Sequence, residues 1–228
     1  MEKQIISGMA ESVQEILDAV PGGVTVVAAA KGRTQAEVRA AIDAGIAHVG
    51  HNYVQEARQM LTPTLRQRAT WHMIGHLQQN KVNWAVQLFD VIQTLDSVEL
   101  ARALDRRCAR RDKVMPVLIE INSGREARKT GVLPEELDDL IHAVAGLEHI
   151  DIQGLMTMGP RFGDPEKARP YFQATRRAFE RLSALDLEGV TMRTLSMGMS
   201  NTYWVAIEEG ANMVRIGSKI FGTIVEET

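Results

Sequence analysis

The 228-residue chain has one cysteine, Cys108, so an intrachain disulfide is excluded. No apolar run approaches the roughly 18–20 residues of a membrane span. The opening MEKQIISGMAES has no apolar core of a secretory leader. Neither charge sign dominates: 26 Lys and Arg stand against 29 Asp and Glu, a net charge of −3. That balance excludes a general attraction to nucleic acid or to anionic lipid. There is no Gly/Pro/Ser-rich linker, internal repeat or low-complexity segment. With 45% hydrophobic residues the chain can fill one full core, and a single cytoplasmic domain over residues 1–228 is expected.

What is present is an alternation. Eight short apolar runs read as strands: 24–30, 46–50, 71–75, 90–96, 114–122, 151–158, 190–196 and 212–217. They are not cleanly alternating, which is the pattern of parallel strands buried on both faces. Helical periodicity fills the intervals. Thr34 and Glu37 form a capping-box pair ahead of the first interval helix, and Gly45 ends it. Pro134 is placed in the first turn of a helix over 134–144, and Pro170 is a kink or break within 164–185. Eight such units in about 200–250 residues suit a (β/α)8 barrel. An open doubly wound sheet is disfavoured because the first strand–helix turn lacks G-x-G-x-x-G. One more helix, over about 7–20, is expected to cover the barrel's N-terminal end.

In such a barrel, chemistry collects at the C-terminal strand ends. Those ends carry Lys31, then His51 and Asn52, His72 with Gly75 and His76, Asn122 and Ser123, Met156 and Thr157, the stretch Ser196–Ser200, and Arg215 with Gly217 and Ser218. Gly198, Ser200, Gly217 and Ser218 fall in the loops after strands seven and eight, where barrels often bind phosphate. Glycine lets backbone N–H groups approach an anion, serine adds hydroxyl donors, and SKIFG can form the short following helix. A lysine on the same mouth leaves two ligands open. One is a sugar phosphate whose ketone the amine attacks; the other is pyridoxal phosphate (PLP). Arg215 favours the second, because arginine is a known partner of the PLP ring nitrogen.

The stretches VVAAAKGRT, GHNYVQE, WHMIGHLQQNK, INSGREARKTG, GLMTM and LSMGMSNTYWVAIEEGANMVRIGSKIFG carry a resemblance. Through them the chain resembles the pyridoxal phosphate homeostasis protein family, itself similar to the barrel domain of bacterial alanine racemase. The resemblance implies a single (β/α)8 barrel of the alanine racemase N-terminal type. It implies that Lys31 carries PLP as an internal aldimine and that Arg215 faces the pyridine nitrogen. Ser200, Gly217 and Ser218 would hold the phosphate, with Ser196 and Gly198 shaping that loop. Asn52 and Met156 would line the ring pocket, and His72 would lie in the barrel beneath it. The sequence departs from the commoner family pattern at Ala30, His51, His76 and Thr202, where serine, glutamate, proline and aspartate are usual.

The implied function is intracellular PLP homeostasis: buffering PLP and related B6 vitamers, or delivery to PLP-dependent apoenzymes, with effects on amino-acid balance. No catalytic residue is assigned. The racemase draws a tyrosine from a second, β-rich domain, whereas here the barrel accounts for the sequence; Tyr53, Tyr171 and Tyr203 fall on helical stretches. An arginine at the ring nitrogen also weakens the ring as an electron sink. The competing readings are a small PLP-dependent amino-acid racemase and, behind it, a Schiff-base aldolase. No metal is expected, since His51 and His76 lack a third ligand. His48 reads as a strand residue only, and the expected state is a monomer.

Overall fold

The computed structural model describes residues 2–160, 163–185 and 187–223. In chain order the elements are α1 (Glu2–Ala19), β1 (Thr25–Ala29), α2 (Gln35–Asp43), β2 (His48–His51), α3 (Val54–Met60), α4 (Pro63–Arg66) and β3 (Thr70–Met73). They continue with α5 (Val82–Leu88), β4 (Val91–Leu95), α6 (Val98–Ala109), β5 (Met115–Glu120), α7 (Leu137–Val144) and β6 (Ile150–Met156). The last are α8 (Arg169–Ser183), β7 (Val190–Ser196), α9 (Tyr203–Glu208), β8 (Met213–Ile216) and α10 (Ser218–Phe221). The eight strands are parallel and close in sequence order, β8 pairing with β1, as the alternation predicts.

Closure divides the buried side chains into two sets. Outward-facing residues such as Val49, Trp71, Ile92, Ile119, Leu155 and Val214 join the apolar faces of the helices in one continuous layer. Each fully buried aliphatic side chain there contributes about 1.5–3 kcal/mol. Val27, Ile74, Leu118, Met156 and Met213 are buried but stand outside that layer, in the lumen. They share it with the buried polar residues His72, Gln93, Glu120, Ser196 and Arg215. Most barrels of this type fill the lumen with branched apolar layers; this one threads a polar network through it.

The opening helix begins at Glu2, ahead of the expected 7–20 span, and its position also differs. It packs against α2 and α10, in the outer layer, instead of closing the barrel's base. The cause is the shortness of α10, four residues that cannot shield β8 and β1 alone. Met9, Val13, Ile16 and Val20 complete the shield.

Several helices are shorter than their periodicity predicts. The helix placed at 134–144 starts at Leu137, because Pro134 lies in a turn after Val132, which bridges to Ile121. Residues 164–185 are split: Pro165–Ala168 form a 3-10 turn, and Pro170 sits in the first turn of α8, where a missing N–H costs nothing. The Thr34–Glu37 capping box forms as predicted. Within β6, Gly154 adopts φ +150 beside a register shift, and a Cβ there would lie 1.8 Å from the Thr194 carbonyl oxygen, so only glycine lets β6 and β7 approach.

His51 ends β2 with its ring turned outward, stacked on Trp71 at 5.8 Å between centroids and 13° between planes. It is fully buried, and neither ring nitrogen has a partner. Burial pushes its pKa from the ordinary 6.5 down to about 4. The unfolded chain therefore binds the proton more readily, so this group's stabilising contribution is complete above pH 6.5 and is lost as pH falls toward 4. His51→Phe keeps the stack and removes two unpaired polar atoms, so it is expected to be more stable than the native chain by about 1 kcal/mol at neutral pH. Denaturant titrations should show that gap widening by up to ~3 kcal/mol between pH 6.5 and 4. A pH-independent gap would contradict the assignment.

Candidate functional site

A cavity of about 500 Å3 opens at the C-terminal strand ends. Lys31, Asn52, Ser200, Arg215, Gly217 and Ser218 all border it, together with Ala29, Ile74, Met158 and Thr202. Residues from the ends of β1, β2, β7 and β8, up to 187 positions apart between Lys31 and Ser218, thus share one space (218 − 31).

The anion-binding side is built from two interlocked loops. After β7, Gly198 takes φ +87; a Cβ there would lie 2.7 Å from Ala206 Cβ and 2.9 Å from Tyr203 Cα, so the turn packs onto α9 only as glycine. The Thr202 hydroxyl accepts the Met199 N–H at 3.1 Å, and the Thr202 N–H returns to the Met199 carbonyl at 2.9 Å. Thr202 therefore serves as the loop's internal tie. The Gly217 N–H donates to Ser200 Oγ at 3.1 Å, and the Arg215 N–H donates to the Gly198 carbonyl at 3.1 Å. These two bonds set Ser200 beside Gly217 and Ser218, presenting hydroxyl and backbone donors together.

Lys31 stands two residues beyond β1, exposed at the rim, with Nζ 5.8 Å from the centre of the Tyr53 ring. Its turn is fixed by Arg33, whose guanidinium donates to the Phe221 carbonyl at 2.9 Å and to the Gly222 carbonyl while pairing with Glu37 at 3.3 Å. Arg33 thereby joins the lysine turn to the segment that carries Gly217 and Ser218.

Arg215 is buried at the cavity floor, 3% exposed. It donates to Ser196 Oγ at 2.5 Å and to the Thr157 carbonyl at 2.7 Å. Burial lowers its pKa to about 10, opposed by the charge of Glu120, so it remains a cation at neutral pH. Glu120 is itself raised to about 7, first by burial and then by Asp96, with the Thr130 hydroxyl and Arg215 opposing. The floor of the cavity thus holds a guanidinium whose acidic neighbour is only partly ionised.

Beneath Arg215 a hydrogen-bonded chain crosses the lumen, its direction following from the orientation of the Gln93 amide. Arg215 can only donate, so Ser196 Oγ accepts and passes its own proton to Gln93 Oε1 at 2.8 Å. Gln93 Nε2 then donates to His72 Nδ1 at 3.0 Å, and also to the Met213 sulfur at 3.2 Å. His72 must carry its proton on Nε2, which donates to His48 Nδ1 at 3.0 Å. Burial lowers both imidazoles, His72 to about 3, keeping them neutral. His48, expected as a strand residue only, is the terminus of this chain, because its side chain faces the lumen opposite β3.

The remaining sequence-predicted positions sit away from the cavity wall. Met156, His72, Ser196 and Gly198 do not border it; Met158, beyond the end of β6, takes the wall position expected of Met156. Ser196 and His72 act from below through Arg215 and Gln93, and Gly198 acts through its turn. His76 is at the rim, 3.7 Å from Asp96. Gln93, Glu120 and Arg33 were not singled out by the sequence, and Thr157 was noted only as a strand-end residue. Among the described residues, no three His, Cys, Asp or Glu side chains converge as a metal site, and no helix is long and apolar enough to cross a membrane.

Gln93→Leu should leave the Ser196 hydroxyl proton without its acceptor and His72 Nδ1 without its donor, and cost about 2–4 kcal/mol in denaturant titrations. In the native chain, imidazole 15N shifts should report Nδ1 of both His48 and His72 as unprotonated at neutral pH. A protonated His72 Nδ1 would reverse the chain and disprove its assigned direction.

Residues 8–225 match the family model described as alanine racemase, N-terminal domain. Among curated proteins, the chain is 38% identical over 185 residues to the pyridoxal phosphate homeostasis protein of Aquifex aeolicus, covering 81% of this chain and 80% of that one. It is 35% identical over 205 residues to the protein of the same name from Escherichia coli, covering 89% and 86%. Among solved structures it is similar to PipY of Synechococcus elongatus without PLP, with TM-score 0.88, 31% identity and coverage of 94% and 100%. PipY with PLP bound gives TM-score 0.85 and 30% identity over the same shares. Alanine racemase of Clostridium difficile, at 13% identity and TM-score 0.73, shares the fold over 98% of this chain and 61% of the enzyme. The chain belongs to the pyridoxal phosphate homeostasis protein family, built on the alanine racemase N-terminal barrel.

Proposed function

We propose that this chain binds pyridoxal 5'-phosphate reversibly on Lys31 and serves the homeostasis of that coenzyme. The observation that carries this reading is the shared cavity: one primary amine, one buried guanidinium and one cluster of anion donors border about 500 Å3, a volume within the usual range for small-ligand sites. The coenzyme supplies an aldehyde that condenses with an amine by losing water, and hydrolysis reverses the step.

Each residue then has a task. Lys31 provides the amine. Ser200, Gly217 and Ser218 receive the phosphate. Arg215 directs its remaining N–H groups at the pyridine nitrogen, and its charge opposes protonation there. Asn52 and Met158 flank the ring, while Ser196, Gln93 and His72 hold Arg215 from below. The site would take the aldehyde vitamer and its phosphate, acting as a cytoplasmic, monomeric reservoir from which PLP-dependent apoenzymes draw. No catalytic residue is assigned, consistent with relatives named as homeostasis proteins and not as enzymes.

One observation favours a second reading, an amino-acid racemase. Tyr53, which precedes α3, lies with its ring centre 5.8 Å from Lys31 Nζ, a place that suits a phenol exchanging a substrate proton. Against it stands Arg215, since a ring nitrogen kept unprotonated stabilises a carbanion poorly.

Borohydride treatment of the PLP-loaded protein should place the pyridoxyl label on the Lys31 peptide. Lys31→Ala should abolish it while leaving the circular dichroism spectrum and the denaturation midpoint unchanged, since Lys31 is an exposed rim residue. A label that persists elsewhere on the barrel mouth would refute the assignment. Deuterium exchange at amino-acid Cα should not exceed that of free PLP; clear acceleration would support the racemase.

A further inference from the structure

A second cavity, of about 440 Å3, lies beside the first over the ends of β2 and β3. The two share Asn52 and Met158 as wall residues, and Tyr53, the ring nearest Lys31 Nζ, also faces the second. Its polar lining includes Gln55, His76, Gln78 and Lys81, and no aspartate or glutamate. Lys81 is half-buried, and among the described residues it has neither a carboxylate partner nor a hydrogen-bond acceptor. Its ammonium stands at a lining that offers no acidic countercharge. Asp96, which is not part of the lining, lies 3.7 Å from His76.

The donor set selects the kind of anion. The first cavity meets its anion with glycine-flanked backbone and serine hydroxyls. Here the one glycine, Gly75, is closed off: a Cβ at that position would lie 2.4 Å from the Asn52 carbonyl oxygen and 2.7 Å from Asn52 Cα. Its backbone is used for close packing and leaves no concave nest of N–H groups for a phosphate. The remaining donors include an ammonium and three primary amides, Asn52, Gln55 and Gln78, suited to a planar acceptor with two oxygens.

We propose that this second chamber holds the carboxylate of a small α-amino acid on Lys81, with the amine directed past Tyr53 toward Lys31. The inference rests on the reading that Lys31 carries the coenzyme. The incoming amine, having released a proton to solvent, bonds to the carbon that Lys31 held; the bond to Lys31 breaks, and its nitrogen takes up a proton. No electrons are gained or lost. The chamber would make free amino acids, ahead of simple amines, the compounds that unload the protein.

The test begins with the 15N-labelled apoprotein. Acetate and L-alanine should shift the backbone amides of Asn52, Gln55, Gly75 and Gln78 saturably, and ethylamine should not. Lys81→Met and Lys81→Gln should each weaken acetate binding at least tenfold without changing the borohydride label on Lys31. On the PLP-loaded protein, L-alanine added before borohydride should prevent the label at concentrations at least tenfold below ethylamine. Absence of saturation, unchanged affinity in both Lys81 variants, or tighter binding of inorganic phosphate than of acetate would each overturn the proposal. The apoprotein titration does not involve PLP, so a missing Lys31 label with intact acetate binding would count against the coenzyme reading alone.

Discussion

A cation buried at the bottom of an open cup governs how this barrel is built. Arg215 arises on β8, one of the shortest strands, and its side chain has nowhere to go but the lumen. A guanidinium there must satisfy rigidly placed N–H donors, and the surroundings are arranged accordingly. Ser196 and the Thr157 carbonyl accept two of them. Ser196 in turn needs an acceptor, supplied by Gln93; Gln93 needs an acceptor, supplied by His72; and the proton order runs on to His48. A lumen that other barrels fill with branched aliphatics is therefore polar along one line, and both imidazoles are fixed as neutral by burial. Glu120, raised to about 7, supplies a countercharge that is incomplete at neutral pH. An electron-pair donor at the cavity floor, such as a pyridine nitrogen, would complete the set.

Above that floor, the rim is assembled by a few cross-links between loops. Gly198 lets the β7 loop fold onto α9, Ser200 captures the Gly217 N–H, and Arg33 joins the Lys31 turn to the end of α10. Amine and anion donors are consequently held by the same mechanical unit. On the outside, Arg169 bonds Glu166, Glu208 and Glu209, linking α8 to α9 behind that unit. The shortness of α10, which brings Ser218 to the cavity, leaves the β8–β1 face uncovered, and α1 covers it. Site and scaffold share one arrangement: α10 is short at the cavity, and α1 makes up the outer layer there.

The barrel was legible in the sequence because parallel strands buried on both faces leave short, continuous apolar runs, and eight of them alternate with helical periodicity. Lys31, Ser200, Arg215, Gly217 and Ser218 were legible because polar residues at strand ends have few structural reasons to be there. Gln93 was not, since one amide inside VIQTL looks like an ordinary interruption, and its partner Ser196 lies 103 residues away. His48 is a strand residue as expected, but its bond to His72 was not legible: which face a strand residue takes depends on register, and β2 starts two residues later than its apolar run. Met158 displaced Met156 from the wall because the chain continues upward past the end of β6. His51 gave no sign that it would be buried without partners, since a histidine after a short strand resembles any polar strand end. Lys81 was hidden in a stretch that reads as helix and folds as a 3-10 turn, Gln79–Lys81.

The claim on which the account turns is that Arg215 meets the coenzyme's ring nitrogen as a cation and keeps that nitrogen unprotonated. PLP labelled with 15N in the ring, bound to the protein and observed by NMR at neutral pH, measures this directly. The account predicts a pyridine-type shift that moves toward the pyridinium value in Arg215→Glu. A pyridinium-type shift in the native protein would contradict it.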